Sequence, residues 1–274
     1  MTGTMKKCLP TLLVTLALLA GSITANALDK PTEWNLYREA ESSFRQANEL
    51  LRTDPAKAKE LFEKAALYFE TIQREGEIEN GRLFYNLGNT YFRLGNLGKA
   101  ILNYRKAEKF IPNDINLQQN LSYARSRCLD KIEMKPQTQV LRTLFFWHFD
   151  LKGAARAWLL TVFFGLLWLF AGAYLLTKKT WLRWGALGFA VLSLLLAGSL
   201  GMEAYQQSHL RAGVILEKEI VGRKGDSSTF EPTFKDPLHM GVEFALVEER
   251  KGWFHIELAD GRRCWIPESA AGLI

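Results

Sequence analysis

Residues 80–114 read NGRLFYNLGNTYFRLGNLGKAILNYRKAEKFIPND. Phe84, Leu87, Gly88 and Tyr91 recur at three- and four-residue spacing, as do Ala100, Tyr104 and Ala107 after them. That period belongs to two amphipathic helices. Gly95 interrupts the pattern between them, and Pro112 ends the second, because proline lacks the N–H that a helix interior needs. Gly88 and Ala100 are small where paired helices must touch, and Tyr91 and Tyr104 fill the groove beside them. A weaker copy lies upstream, where Ala58, Phe62 and Ala65 repeat the second-helix pattern behind Asp54 as cap and Pro55 as first helical residue. Its first helix is expected around residues 36–51. Downstream, Leu117, Leu121 and Ala124 supply a closing helix capped by Asn113 or Asp114.

The order of these residues strongly resembles a tetratricopeptide repeat (TPR). The resemblance implies stacked helix pairs over residues 28–142, with a concave face that holds an extended peptide or a partner's helix. About two repeats and a cap make a short array, so support is expected from a membrane, a partner or self-association. Asn86, Asn89 and Arg93 stand at i, i+3 and i+7, hence on one face. In some family members such residues clamp a carboxylate, which by resemblance makes these three candidate ligand contacts. The alternative is that Asn-Leu-Gly-Asn is repeat filler, since paired basic residues on neighbouring helices are not recognisable.

Charge distribution divides the rest of the chain. Residues 1–27 join Lys6 and Lys7 to a short apolar run and end in Ala25-Asn26-Ala27, the pattern of a cleavable signal peptide. Residues 157–177 and 184–204 hold two runs without ionisable side chains up to Met202, each near the roughly 20 residues that cross a bilayer. They predict a hairpin of two transmembrane helices whose spans carry no buried charge. The loop 178–183, KKTWLR, is basic and belongs in the cytoplasm by the positive-inside rule. Both flanking domains then lie in the periplasm of an inner-membrane protein, in agreement with the signal peptide. Residues 143–156 begin TLFFWHFDL and read as an interfacial linker, in which His148 is structural. Ser193, Ala197 and Gly201 offer a small-residue face, to the first span or to another helix.

Beyond Tyr205 the pattern shifts to short alternating stretches such as Val242–Val247 and Trp253–Leu258, with turn signals at Lys251-Gly252 and Asp260-Gly261. Residues 205–274 are expected to fold as a small β-barrel. The series Gly241, Trp253, Ile256, Asp260-Gly261 and Trp265-Ile266-Pro267 resembles the bacterial SH3-like domain, although Arg262-Arg263-Cys264 displaces a glycine of that pattern. Such domains often bind peptides or cell-wall material, so Arg223, Trp253 and Trp265 are candidates to line a groove. Equally, both tryptophans are large enough to seal a small core.

The fold class expected is therefore multidomain α + β: a short TPR array, a transmembrane α-helical hairpin and an SH3-like β-barrel. Function classes narrow by chemistry. The net charge is +6, but acids interleave with the bases and no basic stripe points to nucleic acid. The four histidines, His148, His209, His239 and His255, have no partner at metal-ligand or triad spacing, and no phosphate-cradling loop occurs. No cofactor, metal or enzymatic activity is expected. The whole order resembles the BatE-like family of TPR proteins encoded in the Bacteroides aerotolerance operons. That likeness implies an accessory scaffold beside MoxR-type ATPases and inner-membrane von Willebrand factor A proteins. The alternative is a sensor or tether that binds peptidoglycan or its peptides through the SH3-like domain.

Overall fold

The computed structural model describes residues 30–76, 79–132, 140, 143–209 and 211–274. The signal peptide reading at residues 1–27 lies outside them. Two compact units result, Met1–Ser126 and Arg127–Ile274.

The first unit holds α1 (Lys30–Leu50), α2 (Pro55–Glu75), α3 (Gly81–Arg93), α4 (Leu97–Phe110) and α5 (Ile115–Arg127). The starts of α2 and α5 follow the expected caps Asp54 and Asp114, and Asn80 and Asn96 cap α3 and α4 in the same way. Asp54 accepts from the Lys57 N–H, Asn80 from Arg82, Asn96 from Lys99 and Asp114 from Leu117, so each side chain satisfies a donor that the first turn leaves open. The left-handed turn after α3 needs Gly95, at φ 77°. Phe62, Phe69, Leu83, Leu87, Ile101, Tyr104, Leu117 and Leu121 form the buried interior. At its centre a Cβ on Gly88 would come within 2.4 Å of the Tyr104 ring. Glycine is thus what lets α3 and α4 close on each other.

The second unit contains a short helix α6 (Phe146–Phe149), an α-helical hairpin of α7 (Gly153–Thr177) and α8 (Thr180–His209), and the β module. Both hairpin helices are long and apolar enough to cross a membrane. Only Lys178 and Lys179 lie between them, and Lys178 takes a left-handed conformation at φ 55°. Buried or half-buried positions recur as Leu182, Phe189, Ser193, Leu196 and Glu203 on α8, the 3.5-residue period of a coiled-coil seam. Phe170 packs on Gly185 and lies 5.2 Å from Phe189, centroid to centroid. Ser193 belongs to this seam, whereas Ala197 and Gly201 face outward, because a four-residue step drifts around the helix.

The β module is an antiparallel five-stranded sheet in the order β6-β5-β4-β1-β7, made of β1 (Ala212–Ile215), β4 (Glu243–Arg250), β5 (Trp253–Leu258), β6 (Arg263–Pro267) and β7 (Ala271–Leu273). A separate ribbon pairs β2 (Glu219–Ile220) with β3 (Leu238–His239). The expected Gly252 and Gly261 hairpin turns are present, both at positive φ. Among the described residues β6 and β7 are the two ends of the five-stranded sheet. The free side of β6 is met by Arg223, whose backbone N–H and C=O both pair with Trp265 at 2.8 Å. Gly222 makes that approach possible, since a Cβ there would lie 2.7 Å from Cys264 Sγ.

Replacing Gly88 by Ala forces Tyr104 from its place and lowers the stability of the helical unit by about 1–3 kcal/mol, the usual range for overpacking. Urea unfolding followed by helical circular dichroism measures the loss; an unchanged midpoint contradicts the close contact as the organising feature.

Candidate functional site

The inner face of the helical unit is assembled by α1 and α3. Trp34 stacks on Tyr37 with centroids 6.0 Å apart, and Tyr37 meets Phe69 of α2 edge-on at 5.7 Å. Trp34 stays 61% exposed, so an aromatic surface is offered to solvent. Beside it opens a cavity of about 150 Å³ lined by Glu41, Phe44, Arg45, Phe69 and Asn86. Its floor is apolar and its rim carries one acid, one base and one amide. Burial, followed by the nearby Glu41 carboxylate, holds the Tyr37 hydroxyl above its ordinary pKa, so it stays protonated.

The three inner-face candidates have separate placements. Asn86 lines the cavity and donates from Nδ2 to the Tyr37 hydroxyl at 3.0 Å. Asn89 accepts at Oδ1 from Tyr104 at 2.8 Å and from Asn120 Nδ2 at 2.9 Å, tying α3 to α4 and α5. Arg93 lies exposed in the last turn of α3. A second polar tie sits behind α3, where the Tyr91 hydroxyl meets Glu70 and receives Lys99 Nζ at 3.1 Å. Burial and then the Glu70 carboxylate raise the Tyr91 pKa, which keeps it a donor.

On the β module, alternation along β5 turns Phe254, Ile256 and Leu258 into the core and Trp253, His255 and Glu257 outward. Of the two tryptophans expected to seal the core, Trp265 is buried and Trp253 is half-buried. Cys264 and Ile266 of β6 face inward, so Trp265 between them must face out. It is buried nonetheless, stacked on His255 at 4.7 Å and 7° and covered by the Arg250 guanidinium at 4.7 Å. Arg250 is itself fixed by Glu248 at 2.8 Å and Asp226 at 3.0 Å. Arg223 reaches Trp265 by its backbone, while its guanidinium donates to the Phe230 carbonyl at 2.7 Å. Trp253 is half-buried at the start of β5, opposite Pro267. Arg223 and Trp265 are thus brought together by backbone pairing at the free side of β6. Core burial pushes the Cys264 thiol up to about 12 and leaves it unreactive.

Sequence reasoning missed a polar cluster in the hairpin. Arg156 lies in the first turn of α7 and is only 3% exposed. It donates to Ser199 Oγ at 2.7 Å and pairs with Glu203, while His148 Nδ1 lies 2.8 Å from Ser199 Oγ and 3.3 Å from Arg156 Nη1. The expected runs 157–177 and 184–202 are themselves without charged residues, and the buried arginine lies one residue before the first of them. The spans were bounded by the loss of charge, but the helices continue through Arg156 and Glu203, which face each other. A usable signal existed: these two residues stand 23 and 24 positions from Lys179, where antiparallel helices bring opposite partners together.

Truncating one member of this pair strands the other. Arg156→Met weakens the hairpin by about 1–3 kcal/mol, below the range for a fully buried pair because Glu203 keeps some water contact. The Arg156→Met/Glu203→Met double variant loses less than the two single losses combined. Denaturant titration in detergent micelles tests the cycle, and strict additivity refutes the pairing. In the β module, burial first and Arg263 second hold the His255 pKa below 6.5. The unfolded chain then binds that proton more readily than the folded one, so stability is full above 6.5 and falls as pH drops through it. The melting temperature is expected to decrease from about pH 7.5 to about pH 5.5, and less so in His255→Gln. Identical pH profiles for the two proteins overturn this assignment.

The tetratricopeptide repeat family matches residues 81–114, the α3–α4 pair and the turn that follows it. No curated protein matches the chain.

Proposed function

We propose that the protein is a membrane-anchored interaction scaffold that acts by holding other proteins and performs no chemistry of its own. One observation carries this reading: the Glu41–Phe44–Arg45–Phe69–Asn86 cavity opens on the inner face of a helical unit whose α3–α4 pair is a tetratricopeptide repeat. A phenylalanine floor suits an apolar side chain of a partner segment, and the charged rim suits the polar groups flanking it. The exposed Trp34 extends the same surface with a rigid, low-entropy contact.

Lys178, Lys179 and Arg183 cluster at the hairpin turn, which supports a cytoplasmic turn and with it periplasmic soluble units. The signal peptide reading of residues 1–27 agrees. The order of modules resembles BatE, so the partners by that likeness are inner-membrane von Willebrand factor A proteins working with a MoxR-type ATPase. Cell-wall binding through an SH3-like β module has less support. Trp265 lies beneath His255 and Arg250, and the Arg223 guanidinium is engaged by Phe230.

A photo-crosslinking residue at position 45 is expected to give one discrete adduct in cells, and Glu41→Lys is expected to reduce it at least about tenfold. An adduct indifferent to the cavity charge, or none, defeats the scaffold reading. Lys179→Cys in turn is expected to resist a membrane-impermeant maleimide in spheroplasts and to react once the inner membrane is opened. Labelling before opening reverses the orientation.

A further inference from the structure

The chain entering the second unit makes a contact that neither the repeat nor the hairpin explains. Residues 128–132 are in neither helix nor strand, yet their exposure alternates: Cys128 is buried, Asp130 and Ile132 are half-buried, and Leu129 and Lys131 are exposed. Such alternation is that of an extended segment lying on a surface. Asp130 sets one carboxylate oxygen 2.7 Å from the His239 backbone N–H and the other 3.0 Å from His239 Nδ1. Two residues on, Ile132 packs against the β-module core that includes Leu238, Val242 and Phe244.

We propose that this corner of the β module is a recognition site for an extended acidic segment of the form Asp-x-Ile, and that residues 128–132 occupy it in cis as a displaceable strap. The chemistry is selective. A carboxylate accepts at both oxygens, so it satisfies the backbone donor and the ring donor with one oxygen each, and Nδ1 facing it must carry the proton. An asparagine offers a second donor where an acceptor is needed. The backbone donor arises from topology, because the β2–β3 ribbon is two-stranded and His239 lies on its edge strand. An unpaired edge N–H is what an added extended segment reads, with specificity supplied by alternate side chains. Here those side chains are Asp130 and Ile132. The pair is also reachable from outside: Asp130 and His239 keep 20% and 25% of their side-chain surface. A competing carboxylate can therefore replace the strap without unfolding the module.

The inference does not depend on what the helical inner face binds. It is tested on the full-length protein in detergent micelles by hydrogen exchange at His239 and by binding of the peptide Arg-Ser-Leu-Asp-Lys-Ile. Asp130→Asn is expected to speed His239 amide exchange at least about tenfold. The peptide is expected to restore protection in that variant and to bind it at least about tenfold more tightly than the wild type, whose strap competes at high effective concentration. The same peptide with Asn for Asp is expected to do neither. Unchanged exchange in Asp130→Asn, equal peptide binding by the two proteins, or equal action of the Asn peptide overturns the proposal. Should Asp130→Asn lose the near-ultraviolet dichroism of the β module, Ile132→Ala, which keeps the carboxylate, is read by the same criteria.

Discussion

The two-residue turn at Lys178 and Lys179 is the constraint on which the second unit depends. It returns α8 along α7, so the chain arrives at α7 and departs from α8 at the same end of the hairpin. Helical backbone satisfies its own hydrogen bonds, which is the condition for entering a bilayer at all. In a bilayer such a seam would have to hold without a hydrophobic driving force, because lipid is as apolar as the side chains. Phe170 against Gly185 supplies close packing near the turn, and Arg156 with Ser199 and Glu203 supplies polar contacts at the open end. His148 joins the polar end from the connecting segment, so the linker is tied to both helices.

The helical unit solves a different problem, that of being short. Its apolar interior is supplemented by side-chain hydrogen bonds that run between helices: Asn86 to Tyr37, Tyr104 to Asn89, and Asn120 to both Asn89 and Tyr85. These orient the inner-face helices α1, α3 and α5, and the cavity at Asn86 is a product of that arrangement. Polar residues on the inner face therefore divide into those that build the groove and those that remain available within it. Asn89 belongs to the first kind, while the exposed Arg45 belongs to the second.

The β module owes its character to having two layers on one sheet. Below lie Phe244, Phe254, Ile256 and Ile266. Above, Trp265 is closed in by His255, Arg250 and the segment from Arg223 to Pro232. Strands as short as these bury too little on a single face, so covering the second face with an aromatic and a cation extends the core. The strap at Asp130 adds a third contact, on the ribbon rather than the sheet.

Local signals are what the sequence by itself determined. Helix caps at Asp54 and Asp114, the Gly88–Tyr104 complementarity, the Gly252 and Gly261 turns and the apolar runs were all legible. Each depends on residues within a few turns of one another or on a periodicity the backbone imposes. What only the tertiary structure decided are pairings between distant positions: Arg156 with Glu203, Asp130 with His239, and Arg223 with Trp265. A lone arginine or aspartate reads as a surface charge until the fold presents its partner. Likewise, a tryptophan in a strand reveals its size but not which layer will cover it, since that depends on loops whose paths no local rule specifies.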